Sequence, residues 1–384
     1  MFKRKKSDGH YHISELEKRY PNALYYMVYG EKSNGKTYTI LEKILNNYVK
    51  TGEQGAVIRR WDTDFKGQTA RTMYNSFVDD GKGRNIVKEL TDGRFDDIKY
   101  YNGTWTLIKH DYDDEPGQIF KDQQPFCYAF SLNGVEHMNG SSYLGITTVL
   151  FDEFMSRRGY LPDEFVLFET ALSNIIRDRD NVKIYMMGNS VNKSCPYFRE
   201  MGLNHITEMK QGDTALYTYG EDGKTTVAVE HAGTAIKNGG KKSDKYFAFD
   251  NPALDMITQG DWQIKVYPHK PIPFDRKDIK FTYFIQFENQ ILQCEIIMKG
   301  HYNFTFVHPK TTPLRHLEKD LIFSQEASPL FNFSRKINQG MNKQKLVGKI
   351  LQYYNNEKIF YSDNSTGEIM RNYIMWCKRA NVLS

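Results

Sequence analysis

The chain has 384 residues, 40% of them hydrophobic, with 26 Tyr, 24 Phe and a formal net charge of +5. That composition excludes a disordered or fibrous chain and suffices for a sizeable core in as many as two domains. No apolar run reaches the length of a membrane span, and Cys127, Cys195, Cys294 and Cys377 stand too far apart for a C-x-x-C metal pair or a disulfide framework.

The basic start, Lys3-Arg4-Lys5-Lys6, is not followed by the apolar segment of a signal peptide, so a soluble, intracellular chain is expected. Residues 24–29 (LYYMVY) read as a buried strand. Behind them, Gly30-Glu31-Lys32-Ser33-Asn34-Gly35-Lys36-Thr37 fills every position of the phosphate-cradling pattern G-x-x-x-x-G-K-[ST]. The glycines let successive backbone N–H groups curl inward toward phosphate oxygens. Lys36 supplies a point charge for the β- and γ-phosphates, and the Thr37 hydroxyl suits Mg²⁺. Residues 37–49 follow with Leu41, Ile44, Leu45 and Tyr48 on one helical face. A Gly/Asn/Ser surface turn could carry the same letters, but not the strand before and the helix after.

Further strands are expected at 55–60, 126–132, 146–151 and 182–187, with an inserted hairpin at 98–109 turning on Asn102-Gly103. The strand 146–151 ends abruptly in Asp152-Glu153, and two adjacent carboxylates there are costly unless the site needs charge. In phosphate-loop ATPases the first such acid holds Mg²⁺ and the second polarises the attacking water. Asp152 is therefore read as the metal acid and Glu153 as the base, which sets the chain apart from most phosphate-loop kinases and GTPases.

Arg157-Arg158 lies just past these acids, where a ring-shaped ATPase would meet a polyanionic cargo; Lys66 is a second candidate for such contact. A helix at 164–177 ends in Arg177-Asp178-Arg179, which either complements the helix dipole or reaches into a neighbouring subunit's site. The strand 182–187 leads to Asn189, which either sits in a strand-end turn or hydrogen-bonds near the γ-phosphate. This strand should lie beside the one ending at Asp152.

A second hairpin is expected around 221–224. Residues 1–232 thus read as an α/β domain, 233–260 as a Gly/Lys/Ser-rich linker, and 261–384 as a smaller α+β domain. The latter shows three successive strands at 280–287, 291–298 and 302–307, a short strand at 358–361, and helices at 346–353 and 368–377. A two-metal nuclease needs converging carboxylates. The first strand, KFTYFIQF, carries none, Glu288 and Glu295 are read as lying at or near turns, and Asp320 and Asp363 lack an obvious partner.

Together, GEKSNGKT, VIRRW at 57–61, VLFDEF at 149–154, IIRDRD at 175–180 and GNSVNKSCPYF at 188–198 resemble the DNA-packaging (encapsidation) ATPases of φ29-like tailed phages, across roughly residues 20–200. The second domain is similar more loosely, through KFTYFI and the Asp-Asn element near 250. The resemblance implies a RecA-like phosphate-loop domain of the additional-strand, catalytic-glutamate (ASCE) class, and a C-terminal domain resembling a vestigial RNase-H-like nuclease without its metal acids. It implies an ATP- and Mg²⁺-dependent motor, a homo-oligomeric, pentameric ring, that moves double-stranded DNA into a procapsid. Capsid portal protein and a structural packaging RNA are the implied partners, in the host cytoplasm at the portal vertex, with no membrane and no place in the mature virion. It makes Lys36, Thr37, Asp152 and Glu153 the nucleotide, metal and base residues and Arg177 the trans-acting arginine, with Arg179 the runner-up. The chain departs from the family at Gly188, where Ser is common, and after Arg59-Arg60, where some members carry an intersubunit Lys and Lys66 is the available substitute. Other ring-forming DNA or export ATPases, a phosphate-loop kinase, and a nucleic-acid-binding assembly module with a structural nucleotide site are the competing readings.

Overall fold

The computed structural model describes residues 11–337 and 345–379, apart from 32–33, 112–117, 139–142, 157–159, 162, 178, 190–194, 204, 221–222, 234–266 and 288–289. The first sheet contains β1 (Tyr25–Gly30), β2 (Gln54–Arg59), β3 (Asp97–Tyr101), β4 (Thr104–His110), β5 (Ile119–Lys121), β6 (Cys127–Ser131), β7 (Ile146–Asp152), β8 (Lys183–Asn189), β9 (Thr214–Tyr219) and β10 (Thr225–Ala232). Their order is β3-β4-β6-β2-β7-β8-β1-β10-β9, with β5 paired to β4. The run from β6 to β10 is parallel throughout.

Parallel strands need cover on both faces, and β1 shows why these residues serve. All six of its residues are buried. Tyr25, Met27 and Tyr29 enter one apolar layer, while Tyr26 and Val28 enter the other. Helix α1 (Lys36–Thr51) packs Ile40, Leu41, Ile44 and Leu45 into the second layer, so closely that a Cβ at Gly55 on β2 would meet Ile44 at 2.4 Å. Helix α2 (Glu164–Ile176) covers the opposite face with Phe168, Ala171, Leu172 and Ile175. The expected hairpin at 98–109 is β3–β4, and its turn residues Asn102 and Gly103 take φ of 50° and 78°, as a two-residue hairpin of this type requires. The second hairpin is β9–β10.

The second sheet runs β15-β14-β11-β12-β13-β16, where β11 is Ile279–Phe287, β12 Gln290–Lys299, β13 Tyr302–Pro309, β14 Ile322–Ser324, β15 Phe333–Ser334 and β16 Ile359–Tyr361. The expected meander is β11–β12–β13, antiparallel. Strands β14, β15 and β16 pair in parallel with β11, β14 and β13 respectively. Helices α3 (Lys345–Asn355) and α4 (Asn364–Arg379) cover this sheet through Ile350, Leu351, Ile369, Met370, Tyr373 and Cys377.

Glu295 is corrected by the structure. It lies inside β12, buried, taking a 2.7 Å bond from Gln293 Nε2 and standing 3.5 Å from His308 Nε2. Asp363 caps α4, accepting from Thr366 N at 2.9 Å. The expected linker lies outside the described residues except for Gly233.

Candidate nucleotide site

Strand order creates the site. The phosphate-loop strand β1 and the acid-bearing strand β7 are separated by one strand, β8, with Gly30 level with Asn189 and Asp152 level with Met187. Three C-terminal strand ends therefore meet at one edge of the sheet, where open α/β folds bind their ligands.

The loop glycines have separate reasons to be glycine. A Cβ at Gly30 would lie 2.5 Å from the Ala232 carbonyl oxygen on β10. Gly35 caps α1 at φ 92°, a left-handed conformation that side chains disfavour. Lys36 is 5% exposed, and its ammonium donates to the carbonyl of Glu31, to Asn34 Oδ1 at 3.0 Å and to Asn189 Oδ1 at 3.5 Å. Asn34 Nδ2 is buried and finds no hydrogen-bond partner among the described residues. A buried lysine, a leftover amide donor and a glycine-bounded loop at a helix N-terminus together suit a polyphosphate, so the residues present fit a nucleotide.

Burial pushes the Lys36 pKa down to about 8, against the pull of Glu31 and Asp152. The ammonium is thus half-neutralised near pH 8 and essentially fully charged only about a unit or more below it. Nucleotide binding should be strongest there and weaken by up to about tenfold per pH unit above it, with a proton taken up on binding. Titration calorimetry between pH 7 and 9.5, in two buffers of different ionisation heat, checks this. A flat affinity with no proton uptake would contradict it.

Thr37 Oγ1 donates to Asp152 Oδ1 at 2.6 Å. The other oxygen of Asp152 takes Arg59 Nε at 3.1 Å and is ion-paired with the rest of that guanidinium. Asp152 is only 2% exposed, so a carboxylate in this place needs both partners. The hydroxyl and carboxylate are hard oxygen donors of the kind Mg²⁺ takes. Arg59 is a site residue to which the sequence analysis, where it stands inside VIRRW, assigns no role. Its signal was its place at the C-terminal end of β2, beside β7.

Glu153 follows immediately, exposed, with φ 58°. A non-glycine residue in this region costs about 1–2 kcal/mol, and the turn throws the Glu153 side chain off the sheet line that buries Asp152. Beside it, a Cβ at Gly188 would lie 2.7 Å from the Phe154 ring, so a side chain there would have to displace that ring.

Arg177 is exposed at the end of α2, with φ 49°. Since α2 runs back from the Asp152 end of β7 to the start of β8, about 20 Å over 13 residues, Arg177 stands at the edge of the sheet opposite its own phosphate loop. Arg179 is committed elsewhere: its guanidinium donates to the carbonyls of Ile176, Leu144, Ile146, Tyr143 and Ile175, tying the end of α2 to the segment entering β7. Lys66 is exposed and paired with Asp62. Lys32, Ser33, Arg157 and Arg158 lie outside the described residues.

The glycine-bounded loop after β1, the acid-tipped β7 two places away and the intervening β8 ending in Asn189 thus lie at one edge of a mixed α/β sheet. Residues 95–211 match the family of podovirus DNA encapsidation proteins (Gp16). The chain is 25% identical over 179 residues to the DNA packaging protein of Bacillus phage B103, covering 46% of this chain and 47% of that protein. It is 23% identical over 174 residues to the DNA packaging protein of Bacillus phage phi29, covering 44% of each. The match thus spans about half the length of these curated relatives. In fold, the chain is similar to the Phi-28 gp11 DNA packaging motor, with a TM-score of 0.54 at 16% identity over 97% of this chain and 99% of that one. It is also similar to a chain of the bacteriophage Phi-29 genome packaging motor assembly, with a TM-score of 0.53 at 15% identity over 95% and 100%. The chain resembles the DNA encapsidation proteins of φ29-like phages.

Proposed function

We propose that this chain is an ATP-hydrolysing motor that drives double-stranded DNA into a procapsid, working as a ring of identical copies. One observation carries the reading: Thr37 bonds Asp152 while Lys36 reaches Asn189, so all three strand ends converge on the phosphate loop. The amides of residues 30–37 and Lys36 would hold the triphosphate. Mg²⁺, held by Thr37 and Asp152, would draw negative charge from the phosphate oxygens. Glu153 would take the proton of the attacking water, and Asn189, beside Lys36, would hydrogen-bond at the γ-phosphate end. Arg177 would serve a neighbouring copy's site, because its own is out of reach. Basic surface side chains, with Arg157, Arg158 and Lys66 as candidates, would grip the DNA backbone without reading its bases.

The order β13-β12-β11-β14-β15, an antiparallel meander continued by two parallel strands, supports an RNase-H-like reading of the second sheet. The division at 1–232, 233–260 and 261–384 belongs to the same proposal, as do contacts with a portal protein and a structural RNA, and a place at the procapsid in the host cytoplasm. Among the described residues no helix is long and apolar enough to cross a membrane.

The test is phosphate release by the purified chain with Mg-ATP, with and without duplex DNA and portal-bearing procapsids, alongside protection of the DNA from added nuclease. Stimulated hydrolysis and protected DNA are expected. Retained nucleotide without any stimulation would overturn the motor and leave a structural nucleotide site.

A further inference from the structure

Arg59, the last residue of β2, and Arg60 just past it divide between Asp152, the last residue of β7, and Glu153 just past it. Arg59 holds the side chain of Asp152. Arg60 turns into the protein, where it is 6% exposed. Its Nε and Nη2 donate to Glu164 Oε2 and Oε1 at 2.7 and 2.8 Å, a bidentate pair at the first turn of α2. Its other hydrogen bonds go to the backbone at the base and at the residue after it: Nη1 donates to the Glu153 carbonyl at 3.2 Å and Nη2 to the Phe154 carbonyl at 2.8 Å. The ring of Tyr160 lies 5.1 Å from the guanidinium. Glu164 is equally committed, accepting from Leu161 N at 2.7 Å and Tyr197 OH at 2.9 Å.

A buried pair of this kind is weak evidence for stability alone, since apolar residues of similar volume often do as well. What apolar residues cannot do is hold two successive carbonyls. Those carbonyls belong to Glu153 and to Phe154 after it, and the φ of 58° at Glu153 persists only where its surroundings over-determine it. Phe154 N bonds the Met187 carbonyl at 3.3 Å and completes the grip from β8.

We propose that Arg60 and Glu164 are positioning residues for Glu153: the Arg60 guanidinium clamps the peptide units that aim the base, and Glu164 fixes the guanidinium. The inference rests on the reading of Glu153 as the base.

Arg60→Lys keeps a charge opposite Glu164 but loses the planar fork that serves two carbonyls and a carboxylate at once. Its kcat for procapsid-stimulated ATP hydrolysis is expected to fall about a hundredfold, with KM and nucleotide affinity within about threefold of the parent. In a Glu153→Gln background the same change should cost nothing further, because the group it aims is already gone. Glu164→Gln, which keeps the shape of the residue, should give the same pattern and serves if Arg60→Lys fails to fold. An unchanged kcat, a rise in KM alone, or an equal loss in both backgrounds would overturn the proposal. If Glu153→Gln itself turns over like the parent, the base assignment fails. If Glu153→Gln is dead while Arg60→Lys is fully active, only the positioning role fails.

Discussion

Glu153→Gln is expected to bind nucleotide as tightly as the parental chain and to hydrolyse it about 10²–10⁴ times more slowly. That is a loss of about 3–5 kcal/mol of transition-state stabilisation from a change of one atom type. The expectation follows from where the two acids stand. Asp152 is buried and shared between Thr37 and Arg59, so altering it disturbs the loop and leaves a guanidinium short of its partner. Glu153 is exposed on the turn, and glutamine preserves its size while removing its capacity to accept a proton. Asp152→Asn should therefore lower Mg-nucleotide affinity and the melting midpoint together, whereas Glu153→Gln should leave both unchanged. Phosphate release, a fluorescent-nucleotide titration and a thermal melt on the same preparations separate the cases. Parental turnover by Glu153→Gln would remove Glu153 as the base.

The parts of this site that were legible in the sequence are local ones. A phosphate loop is a contiguous turn, and its glycines are dictated by neighbours a few residues away, or, for Gly30, by one adjoining strand. The apolar runs of β7 and β8 announce themselves by composition, and their adjacency follows from the fold class. Arg59 and Arg60 show where such reading stops. As letters they are a charge cluster; in the structure successive side chains at a strand end point to opposite sides, one to Asp152 and one into the interior. Their carboxylate partners lie 93 and 104 residues away, and no spacing rule connects them. Arg179 was open to reading as a helix-end cation or a finger, yet it is held by carbonyls, which leave no trace in sequence. In the second sheet, the three residues of β14 are too few to show alternation, and their parallel pairing with β11 spans more than a meander's distance. Glu295 was misplaced because a buried strand glutamate is tolerated only through partners, Gln293 and His308, that pattern alone does not pair with it.

Arg177→Ala is expected to abolish stimulated hydrolysis by about 10³–10⁵-fold while leaving the chain's own nucleotide affinity intact. The magnitude corresponds to about 4–7 kcal/mol of charge stabilisation at the transferring phosphoryl group. The geometry makes a sharper demand than the loss itself. Arg177 is exposed at the far end of α2, at the opposite edge of the sheet from Lys36 of the same chain, so whatever it does at a nucleotide it does for another copy. Lys36→Ala removes a site but keeps its arginine; Arg177→Ala removes an arginine but keeps its site. Mixed in equal amounts, two inactive preparations would then form some complete interfaces, about a quarter of all contacts if copies assemble at random. Hydrolysis should reappear on mixing, in proportion to that fraction, and Arg179→Ala should not substitute for Arg177→Ala in the experiment. Instead, loss of Arg179 should lower the melting midpoint, because five carbonyls at the α2–β7 junction lose their donor together. If the mixture stays inactive while each variant still enters the assembly, Arg177 acts within its own chain or not at all, and the ring-coupled reading of this site is wrong.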